Sequence, residues 1–182
     1  DFIAKRETDR IGLVVYAGES YTKTPITSDK ALVIDVLNKV SYDGVINDGT
    51  AIGMGLATAV NRLRDSKAKS KVIILLTDGV NNTGFVDPKT AAGLASTYGI
   101  KTYTIGLGSN GSAPAPVALR QDGTFVYQLR KVEIDEELLK SIAAETGGSY
   151  YRATDNTKLA AIYKEIDKLE RTDVEEIRYT KY

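Results

Sequence analysis

The stretch Val72-Ile73-Ile74-Leu75-Leu76-Thr77-Asp78-Gly79 decides the fold class of this chain. Five apolar residues in succession are typical of a parallel strand covered by helices on both faces, rather than of a strand with one wet face. We therefore predict a strand over residues 72–77, lying in the middle of its sheet. The Asp-Gly pair that follows predicts a turn at the carboxyl end of that strand.

Short apolar runs alternate with segments of helical spacing along the rest of the chain, which predicts a mostly parallel sheet flanked by helices. Further strands are predicted at residues 11–16, 101–106 (nearer an edge) and 149–152, with a minor antiparallel strand at 21–26. Helices are predicted over residues 32–40, 52–63, 138–143 and 159–169, and from Pro88 onward. The fold class predicted is α/β: a Rossmann-like, three-layer open sheet, mostly parallel, with helices on both faces.

The segment after the strand that ends at Gly106 is rich in glycine and proline. We predict a loop over residues 109–117, followed by a hairpin whose turn is Gln121-Asp122-Gly123, because Asp-Gly between alternating runs is a hairpin signal. Residues 106–111 also satisfy G-x-G-x-x-G. A dinucleotide site would need a helix to open there, and Pro114 and Pro116 forbid one.

Composition excludes several classes of site. The 182 residues contain no His and no Cys, so neither a Ser-His-Asp triad nor a zinc site with imidazole or thiolate ligands can be built. Any metal would be held by oxygen, which favours Mg²⁺, Ca²⁺ or Mn²⁺. Lys+Arg and Asp+Glu both total 24, so no net field recruits nucleic acid, and we expect no nucleic-acid partner.

Two polar segments are expected to meet at one edge of the sheet, one just before a predicted helix and the other just after a predicted strand. Asp48, Gly49 and Thr50 come just before a helix, and Asp78 ends the apolar strand. Ligands of open α/β sheets bind beyond the carboxyl ends of the strands, where both segments can reach. Thr50 and Asp78 are therefore the candidate metal ligands, with Asp48 as an additional candidate, and a carboxylate buried at Asp78 would need a partner.

Longer motifs resemble a known family. Asp-Gly-Thr-Ala-Ile-Gly (48–53), Ile-Leu-Leu-Thr-Asp-Gly (74–79) and Leu-Leu-Lys-Ser-Ile-Ala-Ala-Glu-Thr-Gly-Gly-Ser-Tyr-Tyr-Arg-Ala (138–153) resemble a von Willebrand factor A domain over residues 9–169. Asp-Arg-Ile-Gly-Leu-Val-Val-Tyr-Ala-Gly (9–18) and Pro-Ile-Thr-Ser-Asp (25–29) resemble its bacterial Bat (Bacteroides aerotolerance) group.

The resemblance implies a metal-ion-dependent adhesion site for Mg²⁺, Ca²⁺ or Mn²⁺, in which Thr50 matches the threonine ligand and Asp78 the aspartate of the third loop. The first loop of that site, Asp-x-Ser-x-Ser, has no counterpart in the 182 residues. We therefore expect the intact protein to bind the ion, and this chain to bind it weakly or not at all, because Mg²⁺ demands a near-octahedral set of oxygens.

The strand that carries the first loop is missing with it. The resemblance places that strand in the sheet between residues 11–16 and residues 72–77, so its loss leaves two inner edges open. Three compensations stay open: direct pairing of the two strands, donation of a strand by another chain (so that the fragment dimerises), or a native protein that contains the strand upstream of Asp1. Residues 1–170 are expected to form the N-terminally truncated domain, and residues 171–182 a polar tail approaching a removed transmembrane segment.

For function, the resemblance implies a non-enzymatic protein-binding module, metal-assisted in the intact protein and linked to aerotolerance or stress. It implies anchoring in the bacterial inner membrane, with this domain on the periplasmic side and contact with the membrane only through removed segments. The partners would be proteins, other members of a membrane complex. The alternatives are a metal-assisted hydrolase using Asp48 and Asp78 as paired carboxylates, and a structural spacer.

Overall fold

A computed structural model describes residues 2–6, 9–40, 49–79, 81–108, 111–132 and 134–179. The helices are α1 Phe2–Lys5, α2 Lys30–Asn38, α3 Ile52–Leu63, α4 Pro88–Thr97, α5 Glu136–Thr146 and α6 Asn156–Tyr179. The strands are β1 Ile11–Tyr16, β2 Ser20–Thr27, β3 Lys71–Thr77, β4 Ile100–Leu107, β5 Gly111–Leu119, β6 Phe125–Val132 and β7 Tyr150–Ala153.

Three parallel strands form the centre of the fold, in the order β3-β4-β7. Strand β1 pairs antiparallel with β2, and β5 pairs antiparallel with β6 as a separate hairpin. Helices α3, α4 and α5 pack on one face of the central strands around Ile73 and Leu75. Helices α1 and α6 cover the other face, where Ile166 packs with Tyr103 and Ile105. The α/β, three-layer prediction is confirmed.

The helix ends carry residues that stabilise them. The carboxylates of Asp29 and Asp135 accept hydrogen bonds from Leu32 N (3.0 Å) and Leu138 N (3.1 Å), the capping geometry that stabilises a helix start. Asp87 caps α4 ahead of its first residue, proline. Gly147 ends α5 with φ +76°, in the left-handed conformation that glycine adopts without steric cost.

The predicted order of strands is wrong in one respect. Strand β3, expected in mid-sheet, lies at the end of the described three-stranded sheet, and β4, expected nearer an edge, lies at its centre. The alternating threonines of β4 suggested a wet face, yet Thr102 and Thr104 are fully buried. Thr104 Oγ1 donates to the carbonyl of Leu139 at 2.9 Å, which satisfies its hydroxyl inside the core.

The predicted loop at 109–117 is also wrong over most of its length, because β5 begins at Gly111. Proline is tolerated in a strand that has a free edge, and among the described strands β5 pairs only with β6. Helix α6 runs on to Tyr179, so its backbone continues through residues 171–179 of the segment assigned to a tail. Across the described residues, no helix has the length and apolar character needed to span a bilayer.

Strands β1 and β3 are the two elements expected to flank a missing strand. Within the described ranges, β1 pairs only with β2 and β3 only with β4. Direct pairing of the two edges, one of the three compensations considered above, therefore does not occur in this structure. A cavity of about 660 Å³ separates the edges instead.

Candidate functional site

Thr50 and Asp78 lie together at the carboxyl end of the central sheet. Asp78 directly follows the last residue of β3, and Thr50 precedes Ala51, the residue that caps α3. The hydroxyl oxygen of Thr50 lies 3.4 Å from the point where a Cβ on Gly79 would stand. The Thr50 side chain therefore lies within van der Waals distance of the turn that carries Asp78.

Two asparagines hold Thr50 in this position. Thr50 N donates to Asn82 Oδ1 at 2.8 Å, and Asn82 N donates back to the Thr50 carbonyl at 3.0 Å. Asn81 Oδ1 accepts from Ile52 N at 2.9 Å, which satisfies an N–H at the start of α3 where the capping residue, Ala51, has no side-chain acceptor. We call the surface formed by Thr50, Asp78, Gly79, Asn81 and Asn82 the loop rim.

The end of β1 reaches the same rim. Ala51 N donates to the Ala17 carbonyl at 2.6 Å, and the Tyr16 hydroxyl donates to the Leu76 carbonyl at 2.8 Å. The Tyr16 ring lies over Gly55, where a Cβ would stand 2.7 Å from a ring carbon. The carboxyl ends of β1 and β3 and the start of α3 are thus tied to one another.

Electrostatics at the rim are dominated by an exposed carboxylate. Asp78 is exposed, so the expectation that it is buried and needs a partner is wrong: a carboxylate in water pays no desolvation cost. Burial raises the pKa of the Tyr16 hydroxyl to about 12, a hydrogen bond with Thr77 opposes the rise, and the negative charge of Asp78 adds to it. Tyr16 is therefore a neutral hydrogen-bond donor at physiological pH.

The donors present form only part of a set that could hold a divalent ion. The Thr50 hydroxyl and the Asp78 carboxylate are available, whereas the side-chain oxygens of Asn81 and Asn82 already accept backbone N–H groups. Asp48 lies outside the described residues, and in the described ranges no three His, Cys, Asp or Glu residues come close enough to form a metal site. Because Mg²⁺ requires six oxygens, these residues fit it only as part of a larger site.

Sequence patterns point to Thr50 and Asp78 as site residues and assign no role to Asn81, Asn82 or Tyr16. Asparagine just after Asp-Gly reads as a turn residue, and nothing in its spacing shows that its amide reaches a segment 32 residues away. No signal in the sequence pointed to these three residues.

The chain matches the von Willebrand factor type A domain family over residues 1–165. An uncharacterized protein of Borreliella burgdorferi is 31% identical over 172 residues, which are 94% of this chain and 50% of that protein. The chain therefore spans about half the length of the curated relatives that it matches.

Solved structures agree with this match. BatB from Bacteroides thetaiotaomicron, a conserved hypothetical protein, is 28% identical with a TM-score of 0.75, over 93% of this chain and 83% of that one. An aerotolerance-related membrane protein from Bacteroides fragilis is 30% identical with a TM-score of 0.73, over 92% and 83%. Proximal thread matrix protein 1 from the mussel byssus, described with a zinc-occupied MIDAS motif, shares the fold at 24% identity and a TM-score of 0.67, over 92% and 38%. This chain belongs to the von Willebrand factor type A domain family, with Bat proteins among its structural neighbours.

Proposed function

We propose that this domain is a protein-binding module that captures its partner at the loop rim. A divalent ion bound there assists capture, and its set of ligands is complete only in the intact protein. The observation that carries the proposal is the convergence of the Thr50 hydroxyl and the exposed Asp78 carboxylate at one turn. Both are oxygen donors of the kind that Mg²⁺ prefers, and further ligands must come from outside the described residues. Bound there, the ion would supply an electrophilic position for a carboxylate of the partner.

An exposed aromatic residue beside the rim supports a protein partner. Phe85 is fully exposed. It follows Gly84, where a Cβ would stand 3.0 Å from the Ala51 side chain, so this loop lies against the start of α3. Exposed aromatic side chains next to a polar site are typical anchors of protein interfaces. Nothing in the described ranges favours the paired-carboxylate alternative, since Asp48 lies outside them.

The setting follows from the resemblance and from the structural neighbours. Those neighbours include an aerotolerance-related membrane protein, which supports a membrane setting for the intact protein. The bacterial inner membrane, with this domain on the periplasmic side, is the location that the family resemblance implies. The partners would then be other proteins of a membrane complex that serves aerotolerance or stress resistance.

The test is partner capture by the full-length protein. Thr50→Val and Asp78→Asn are compared with Thr97→Val and Asp65→Asn, which change the same residue types elsewhere. Thr97 is the last residue of α4, and Asp65 lies just beyond the carboxyl end of α3, whereas the rim lies at the start of α3. In Mg²⁺, we expect the two rim variants to capture at least about tenfold less partner after crosslinking in membranes, a loss of roughly 1.4 kcal/mol. The control variants should match the wild type.

Chelation gives the second arm of this experiment. EDTA should lower capture by the wild type to the level of the rim variants and leave those variants unchanged. Equal capture by wild type and rim variants, with or without EDTA, would refute the proposal. For residues 1–182 alone we expect weak Mg²⁺ binding, and calorimetry that shows micromolar affinity would contradict the incomplete donor set described above.

A further inference from the structure

Positive charge is concentrated between the end of α3 and the start of β3. Residues 62–71 contain five basic residues and one acidic residue, so the run carries a net charge of +4 in a chain whose formal net charge is zero. We call the surface formed by the five basic residues the basic pole: Arg62, Arg64, Lys67, Lys69 and Lys71.

The basic pole lies at the amino-terminal end of the parallel sheet. Lys71 is the first residue of β3 and pairs with Ile100, the first residue of β4. The loop rim lies past the other end of β3, and the seven residues of that strand span about 23 Å. A surface that binds the basic pole therefore leaves the loop rim facing away from it.

The domain itself neutralises little of this charge. Arg64, Lys67 and Lys69 are exposed. Arg64 lies 3.6 Å from the carboxylate of Asp65, an exposed ion pair of the kind that contributes little. Within the described ranges, no ion pair involves Lys67 or Lys69. Their charge is therefore open to a partner.

A stabilising role at the end of α3 accounts for only part of the basic pole. Cations near the carboxyl end of a helix interact favourably with its dipole, and Arg62 and Arg64 are placed to do so because α3 ends at Leu63. This effect fades beyond the last turn of a helix, so it gives no such role to Lys67 or Lys69.

Helix α6 reaches the same end of the domain. The Glu170 carboxylate of α6 accepts from Ser70 Oγ at 3.3 Å and pairs with Lys101 at 3.4 Å, beside the amino ends of β3 and β4. The backbone of α6 continues past this contact to Tyr179, and residues 171–179 contain two basic and three acidic residues. The excess of positive charge at this end of the domain is thus kept.

An exposed aromatic side chain lies at the same end of the sheet. Tyr98 follows α4, just before the amino end of β4, and is exposed. Tyrosine is enriched where proteins meet the interface between membrane and water. Residues 62–71, by contrast, contain no aromatic side chain on which nucleic-acid bases could stack. Separated lysines with a single tyrosine beside them favour a lipid surface over a nucleic acid.

We propose that the basic pole binds a lipid surface with anionic headgroups and so orients the loop rim away from the membrane. Each lysine or arginine near such a surface adds to the attraction, which acts over about one Debye length. Arg64, Lys67 and Lys69 supply the exposed charge, and Tyr98 lies at the level of the headgroups. This inference rests on the membrane setting proposed above and is independent of metal-assisted capture at the loop rim.

Vesicle sedimentation tests the proposal in buffer with EDTA, so that failure of the metal-assisted function cannot affect the result. The 182-residue chain is mixed with phosphatidylcholine vesicles in which one third of the lipid is, or is not, replaced by phosphatidylglycerol. We expect at least tenfold tighter binding to the anionic vesicles at about 0.1 M salt. The difference should vanish at about 1 M salt, where the Debye length falls to about 3 Å.

Charge reversal shows which residues bind the vesicles. A triple variant of the basic pole should bind anionic vesicles at least tenfold more weakly than the wild type. A control variant reverses three exposed lysines of α4 and α6, has the same net charge, and should bind as tightly as the wild type. The two sets of changes are Arg64→Glu, Lys67→Glu and Lys69→Glu for the pole, and Lys89→Glu, Lys158→Glu and Lys164→Glu for the control.

A fluorescent label locates the bound surface, since the chain contains no cysteine of its own. An environment-sensitive dye on Ala68→Cys, between two lysines of the basic pole, should shift to the blue with anionic vesicles. The same dye on Ala160→Cys, exposed on α6, should not shift. The proposal would be overturned by equal binding to neutral vesicles, by equal losses in the two triple variants, by a blue shift at residue 160 alone, or by tighter binding to duplex DNA than to anionic vesicles.

Discussion

Two helical glycines should respond to alanine in opposite directions. Gly53 is the second residue of α3, and a Cβ there would stand 2.0 Å from the Val86 carbonyl oxygen and 2.9 Å from Pro88 N. Both contacts are with backbone, so no change of rotamer can relieve them. Gly93, in the middle of α4, has nothing within 4 Å of the same position.

The expected magnitudes follow from these contacts. Overpacking in a close contact costs about 1–3 kcal/mol. Because the clash at Gly53 is with backbone, we expect Gly53→Ala to lower the free energy of unfolding by about 2 kcal/mol or more, even after the gain of less than about 1 kcal/mol in helix propensity. Gly93→Ala gains helix propensity without a clash and should raise the free energy of unfolding by about 0.5–1 kcal/mol.

Urea and thermal unfolding measure both effects. For a chain of this size, about 2 kcal/mol corresponds to a fall of roughly 4–8 °C in Tm. The urea m-value should stay constant in both variants, since the surface exposed on unfolding does not change. A Gly53→Ala variant as stable as the wild type, or a shift of equal sign in the two variants, would refute the close packing of α3 against the segment around Val86.

Three further predictions concern hydrogen bonds and charges. Asn82→Ala removes the acceptor for Thr50 N and should cost about 1 kcal/mol by urea unfolding, whereas Asn61→Ala, exposed on α3, should stay within about 0.5 kcal/mol. The pKa of Tyr16 is raised in the folded state, so the stabilisation linked to its neutral hydroxyl is complete below about pH 10 and is lost toward pH 12. The free energy of unfolding of the wild type, relative to that of Tyr16→Phe, should therefore fall by up to about 2.5 kcal/mol across that window. Glu170→Leu removes a buried carboxylate bonded to Tyr103 at 2.6 Å and should cost about 3 kcal/mol by urea unfolding, with a smaller loss in Glu170→Gln, which keeps an acceptor.

Local signals predicted most of the elements. The caps at Asp29, Asp87 and Asp135 depend on residues within three positions of the helix start, so the sequence is sufficient to place them. The central place of β4 was not predictable in this way. The alternating threonines of β4 predict a solvent-exposed face. Thr104 is instead buried, and its hydroxyl donates to the Leu139 carbonyl of a helix distant in sequence, which offsets the loss of its hydrogen bond to water.

The position of the candidate site could be predicted from the sequence, whereas the hydrogen bonds that hold Thr50 in place could not. Carboxyl ends of parallel strands share one edge, which is why Thr50 and Asp78 could be paired in advance although they are far apart in sequence. The bonds from Asn81 and Asn82 depend on where a loop returns in space, and no periodicity encodes that. The exposure of Asp78 is likewise a property of the folded rim.

Strands β1 and β3 are linked to the loop rim through a short run of covalent and hydrogen bonds. The Tyr16 hydroxyl, at the end of β1, donates to the Leu76 carbonyl of β3, and the carbonyl of the next residue, Ala17, accepts from the N–H of Ala51, which follows Thr50. Any change in the separation of β1 and β3 is therefore transmitted to the position of Thr50 relative to Gly79. A partner that fixes Thr50 at the rim should therefore also stabilise the position of β1 relative to β3, because coupling between two parts of a protein is reciprocal.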